Sequence, residues 1–105
     1  MYYIYMIRCE DNSLYTGITT DIERRFLEHS EKDVKCAKYT KRHTVLKIEA
    51  VWQTETRSDA SKLEYNLKKL TKPKKEELII DDDKFDEFLS EKIDIKLYKK
   101  YNFNL

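Results

Sequence analysis

A single glycine, Gly17, and a single proline, Pro73, punctuate this 105-residue chain. With punctuation so scarce, each needs a physical reason. Gly17 falls inside the alternating stretch Leu14-Tyr15-Thr16-Gly17-Ile18-Thr19, which reads as a strand. Glycine costs stability in a strand interior, so it marks either a bulge or a place where a ligand or another chain segment comes close. Residues 2–9, rich in Tyr and Ile, alternate in the same way. A three-residue loop, Asp11-Asn12-Ser13, would join the two strands as a hairpin and set Glu10 against Leu14. Tyr5 and Tyr15 would then share a face of the sheet, because strand side chains repeat every two residues.

Downstream, Thr20-Asp21-Ile22-Glu23 has the T-x-x-E form of a capping box, predicting a helix to about Ser30. Residues 31–44 are polar, basic and loop-like. Residues 45–53 alternate again and predict a third strand, with Leu46, Ile48, Ala50 and Trp52 on one face. Thr56 to Asp59 is a second capping signal. It opens a helix over 58–70 with the apolar stripe Ala60, Leu63, Leu67 and Leu70. Pro73 marks the stop or the first turn of another short helix. Phe85, Phe88, Leu89, Ile93 and Leu97 are spaced for one amphipathic helix over 82–100, or two short ones. The expected fold is α+β: a small three-stranded, mainly antiparallel sheet flanked by helices, with a C-terminal helical tail.

Composition bounds the rest. Apolar residues make up 40% and charged residues 39%, so a very polar surface surrounds a core just large enough for one domain. No apolar run is long enough to span a bilayer. Met1 to Tyr5 lacks the basic start and cleavage site of a secretory signal. Two cysteines, Cys9 and Cys36, make neither a disulfide framework nor a metal finger. A reducing cytoplasm is the expected compartment. The net charge of +1 hides an asymmetry. Residues 1–75 hold 16 Lys and Arg against 11 Asp and Glu, whereas residues 76–105 hold 5 against 9. Lys32, Lys35, Lys38, Lys41, Arg42, His43 and Lys47 crowd a stretch whose one acid is Asp33. Such a patch suits phosphate contacts, with Tyr39 available for stacking; a solvated lysine face is the blander reading.

Four features point to chemistry, and each also has an ordinary explanation. Gly17 could be a simple bulge, and Tyr3, Tyr5 and Tyr15 could be plain strand formers. Arg25 and His29, one helical turn apart, share a face with Ile22 and Phe26; the arginine could snorkel and the histidine could be structural. Glu64 flanks the apolar stripe of its helix and could be a rim salt bridge. Their conjunction suits phosphodiester hydrolysis. Glu64 would hold one Mg²⁺ or Mn²⁺ with water completing the shell. Arg25 would neutralise charge growing on the phosphate, and a phenol would take the proton of the attacking water. An ordinary phenol is too weakly acidic for that role near pH 7, so a neighbouring cation would have to lower its pKa from about 10.

These residues resemble the GIY-YIG nuclease superfamily, and in detail its small stand-alone bacterial members, over about residues 1–78. The first motif is read on Tyr3-Ile4-Tyr5, where Tyr3 replaces the leading glycine, and the second on Tyr15-Thr16-Gly17. Arg25 follows the second motif's glycine by eight residues, and His29 comes one helical turn later. Arg24-Arg25, Glu28-His29, Ala37 to Thr40, and Glu64 through Lys75 complete the likeness. The resemblance implies divalent-metal cleavage of DNA, branched or damaged, in repair or recombination. It implies Tyr5, Tyr15, Arg25, His29 and Glu64 as the catalytic set and Glu64 as the metal ligand. Either Tyr5 or Tyr15 could be the base. Residues 79–105 would form an acidic amphipathic tail within the same compact unit. A nucleic-acid-binding module with an inactive site, contacting DNA through Lys35, Lys38, Tyr39, Lys41 and Arg42, is the alternative. A protein adaptor docking a partner through the 82–100 helix is another.

Overall fold

Strand β1 (Tyr2–Cys9) is buried on both faces, and the rest of the fold follows from that. Its even-numbered residues Ile4 and Met6 enter one core, while Tyr5, Ile7 and Cys9 enter another. A strand apolar on both sides belongs in the middle of a sheet. In this computed structural model, which describes residues 1–30 and 43–103, β1 lies between β2 (Leu14–Thr19) and β3 (Val45–Thr54). Helix α1 (Ile22–Ser30) covers the Tyr5 face. Helices α2 (Arg57–Lys69), α3 (Lys72–Ile80) and α4 (Asp83–Leu89) supply Ala60, Leu63, Leu67, Leu78 and Leu89 to the core on the Met6 face. The expected α+β class is the observed one. Among the described residues the sheet has four strands rather than three, in the order β2-β1-β3-β4, all antiparallel.

The hairpin register differs from expectation by two residues. Arg8 faces Leu14, Ile7 faces Tyr15 and Tyr5 faces Gly17. The loop keeps three residues but is Glu10-Asp11-Asn12, closed by a Cys9 N–H bond to the Ser13 carbonyl at 3.0 Å. Asn12 takes a left-handed conformation with φ 71°, which asparagine tolerates better than serine would. A two-residue shift leaves every side chain on its expected face, so Tyr5 and Tyr15 still share one.

β3 behaves differently. Register shifts between Met6 and Ile7 and between Arg8 and Cys9 each insert one residue in β3, so Ile7 faces Ile48 while Met6 faces Ala50, and Cys9 faces Val45 while Arg8 faces Lys47. Each single-residue bulge reverses parity. Ala50 and Trp52 pack on the Met6 face, Ile48 packs beside Tyr5, and Leu46 is exposed. The expected single apolar face therefore exists only after the bulges.

Capping follows local chemistry. Asp21, not Thr20, starts α1: its carboxylate accepts the Arg24 N–H at 3.2 Å, while the Thr19 hydroxyl accepts the Asp21 N–H. Thr56 caps α2 by accepting the Asp59 N–H, and Thr71 caps α3, with Pro73 in its first turn. The predicted 82–100 helix is helical only through Leu89. A short 3₁₀ turn (Ile95–Leu97) then feeds β4 (Lys99–Lys100), which pairs with β3. The Thr54 hydroxyl donates to the Leu97 carbonyl and the Tyr98 hydroxyl to the Asp59 carbonyl, at 2.9 and 2.7 Å, tying this segment down. Lys35, Lys38, Tyr39, Lys41 and Arg42 lie outside the described residues.

On the α2–α3 side, Arg8 gathers the hairpin turn, β3 and α3. Its guanidinium donates to Glu49 at 2.9 Å, to both carboxylate oxygens of Glu76, and to the Asn12 side chain at 3.0 Å. The Arg8 and Glu49 side chains are about nine-tenths buried. Removing the cation would leave the largely buried Glu49 carboxylate with only the exposed Lys47, at 3.5 Å, as a cationic partner. Arg8→Met should therefore lower stability at pH 7 by about 3 kcal/mol, read from urea denaturation.

Candidate active site

Tyr5 and Gly17 form a cross-strand pair on the α1 face of the sheet. The Tyr5 ring folds over the glycine. A Cβ built on Gly17 would lie 2.6 Å from the Tyr5 Cζ and 3.2 Å from a Tyr15 ring carbon. Gly17 does not have a positive φ, so space and not backbone freedom requires a glycine. Tyr15, two residues before Gly17, stands on the same face with its ring centroid 6.4 Å from that of Tyr5.

Helix α1 closes the site from above. Buried Ile22 anchors its first turn in the Tyr5 core. One turn later Arg25 points at Tyr5, and a further turn brings His29, which is fully buried. The Tyr5 hydroxyl and His29 Nε2 are hydrogen bonded at 2.9 Å. The His29 ring lies 5.7 Å from Tyr5 and 5.5 Å from Tyr15, centroid to centroid. The Arg25 guanidinium hydrogen bonds to Tyr5 and donates to Glu28 at 3.0 Å. Glu64 stands on α2, which packs against β2 and β1. Its carboxylate pairs with Lys68 at 3.5 Å, and its charge is felt at Tyr5. Tyr5, Tyr15, Arg25 and His29 thus meet over Gly17, whereas Glu64 stands on α2, whose core residues pack on the Met6 face of the sheet, and reaches Tyr5 through its charge.

The electrostatics differ from the sequence-based expectation. Burial pushes the Tyr5 phenol up to about 12; the Arg25 hydrogen bond acts in the lowering direction but does not prevail. Burial, seconded by the Arg25 charge, holds His29 down at about 4, so the imidazole is neutral at pH 7. Burial disfavours the Arg25 cation, and its bonds to Tyr5 and Glu28 outweigh that penalty, raising its pKa.

Glu28 is the residue that reading the side-chain chemistry missed. It is buried and accepts from both Arg24 and Arg25, at 2.9 and 3.0 Å. The signal was there: a carboxylate three and four residues after a pair of arginines faces both on a helix. Cys9 is buried in the Tyr5 core.

Residues 1–77 match the family model described as the GIY-YIG catalytic domain. The chain is 50% identical over 84 residues to the UPF0213 protein FN1575 of Fusobacterium nucleatum subsp. nucleatum, covering 80% of this chain and 82% of that one. It is 42% identical over 89 residues to the UPF0213 protein YhbQ of Salmonella typhimurium, covering 85% and 87%. The solution NMR structure of the UPF0213 protein BH0048 from Bacillus halodurans is 37% identical and covers 76% of this chain and 84% of that one, with a TM-score of 0.49.

Gly17→Ala forces a methyl group against the buried Tyr5 ring. A loss of about 1–3 kcal/mol is expected, together with a shift of the His29 imidazole NMR signals as the Tyr5 bond breaks. His29 supplies a pH test. Unfolded, it protonates near 6.5; folded, near 4. Its contribution is fully present above pH 6.5 and is lost as pH falls toward 4. Stability should drop by about 3 kcal/mol across that window. His29→Gln should lack that part of the pH dependence in urea titrations.

Proposed function

The chain belongs to the GIY-YIG family, and we propose that it is a divalent-metal-dependent DNA endonuclease that hydrolyses phosphodiester bonds. A nuclease-type function comes with the family. The observation that carries the finer reading is the placement of Arg25: a cation bonded to a phenol on one side and a buried carboxylate on the other, above the one glycine of the chain. Branched or damaged DNA, as met in repair or recombination, is the substrate we favour.

The metal requirement can be tested against the donor set. Among the described residues, no group of three or more His, Cys, Asp or Glu side chains could hold an ion. A lone, half-buried carboxylate does fit a hard cation such as Mg²⁺ or Mn²⁺, which keeps most of its water and takes one or two carboxylates. Glu64 would hold it, and the bound ion would supply positive charge to the oxygens of the scissile phosphate.

The two phenols divide the remaining work. Arginine can only donate, so the Tyr5 oxygen accepts from Arg25, and the Tyr5 hydroxyl shares its other hydrogen bond with the neutral His29 Nε2. With its pKa near 12, Tyr5 stays protonated at any working pH. We assign it to positioning: it fixes the guanidinium that meets the phosphate charge. Tyr15 is less buried and lies on the same face. It is our choice for the group that takes the water's proton, passing its own proton on to solvent, as the phosphorus–oxygen bond to the leaving group breaks and the departing oxygen takes a proton from water. His29 packs against the Tyr15 ring and keeps it in place.

Incubation with flapped, nicked or branched DNA and Mn²⁺ should yield strand scission. Glu64→Ala, Arg25→Ala and Tyr15→Phe should each lower the rate by about 100-fold or more, and Tyr5→Phe by about 10-fold. Cleavage surviving both Glu64→Ala and Arg25→Ala would identify a contaminant. Salt-sensitive DNA binding without cleavage of any substrate would overturn the enzyme reading in favour of a binding module.

A further inference from the structure

Beside the proposed catalytic cluster lies a second, open cleft of about 350 Å³, and its lining is unusual. Arg24, Arg25 and Arg57 all border it, together with the threonines that lead into α1. Glu28 is the one acidic residue among the lining side chains. Three guanidinium groups face the Glu28 carboxylate and, through Arg24 at 3.7 Å, the Asp21 carboxylate, which leaves a surplus of one positive charge.

Glu28 does not neutralise all three. It accepts from Arg24 and Arg25, while Arg57 forms no ion pair with any described residue. Arg57 opens helix α2 and is exposed, so it neither packs nor caps. Arginine is a poor choice for the first turn of a helix, where the backbone already presents positive charge; an acid would be more stable there. Each guanidinium carries five N–H donors in a planar fork, so Arg24 keeps donors free for a ligand even while bound to Glu28. Arg25 reaches both this cleft and Tyr5, which makes the two sites continuous.

We propose that this cleft is an anion subsite, with Arg57 as its specific determinant and Arg24 as its second wall, that grips a backbone phosphate next to the one being cut. The proposal rests on the endonuclease reading for the identity of the ligand. A singly charged phosphodiester matches the surplus charge without displacing Glu28, and arginine forks suit its oxygens. Holding a neighbouring phosphate fixes the strand's register over Tyr15 and Arg25. The contact carries no sequence information.

The test is fluorescence anisotropy of a labelled duplex oligonucleotide bound to the full chain in EDTA, over a salt series. Without divalent ions, cleavage plays no part in the reading. Arg57→Gln keeps a polar side chain at an exposed position, and an unchanged melting temperature will confirm folding. It should weaken binding at low salt by about 5- to 10-fold and reduce the slope of log affinity against log salt by about one. Lys84→Ala removes one cation paired with Glu87 on α4 and should change neither quantity. Equal losses in both variants, or none in Arg57→Gln, would overturn the subsite while leaving the nuclease reading intact. No DNA binding by the wild type would overturn it too. An Arg57-specific loss in a chain that cuts no DNA would keep the subsite and remove the nuclease.

Discussion

The ring of Tyr5 needs the volume that a side chain at position 17 would take, and most of the site follows from that one contact. β1 must bring residue 5 opposite residue 17, which fixes the hairpin register. Once the ring lies across the strand, its hydroxyl projects beyond β2 toward α1, within reach of both Arg25 and His29. The helix must then enter at the angle set by the Asp21 cap and the Ile22 anchor, since a half-turn of rotation would present Glu23 and Leu27 instead. Packing thus delivers the polar groups: a steric requirement at a residue with no side chain places three that have chemistry.

How much of this could be read beforehand depended on periodicity. Face assignments survive any even error, so Tyr5 and Tyr15 were correctly placed together even though the loop was centred one residue too late. They do not survive an odd error, and each bulge in β3 is one. No residue type announces the bulge at Glu49, because that side chain is held by Arg8 from β1, a partner 41 residues away. Helices with a side-chain cap and a clean apolar stripe, such as α2, were legible to within a residue. The last segment was not. Its apolar spacing is helical, but Ile93 and Tyr98 are buried against the sheet core by a chain that turns back to extend it. Tertiary contact there overrides local pattern.

Within the site, residue identities were legible and their electrostatics were not. Period and spacing place a phenol next to a guanidinium, and from that alone a lowered phenol pKa is the natural expectation. Burial reverses the sign, because desolvation of a phenolate outweighs one hydrogen bond from a cation. Depth in the sheet, which no local pattern reveals, is what separates Tyr5 from Tyr15. The central strand carries the phenol that must stay neutral, and the edge strand carries the one that meets solvent.

The same burial explains why a cation and an imidazole can coexist around one hydroxyl. Two positive groups flanking Tyr5 would repel each other in a poorly hydrated space. With His29 held neutral, Arg25 is the cation that acts on the hydroxyl among the described residues, and Glu28 braces it from the far side. A guanidinium fixed between a carboxylate and a phenol has few orientations left to lose when a phosphate arrives, so more of the electrostatic attraction remains for the transition state. Relaxing any of the three partners would keep the charge and lose its direction. In a site that relies on so few groups, direction is the scarcer quantity: a freely rotating arginine gives a phosphate the same charge in water as in the fold, and it is the brace of Glu28 and Tyr5 that turns that charge into a position.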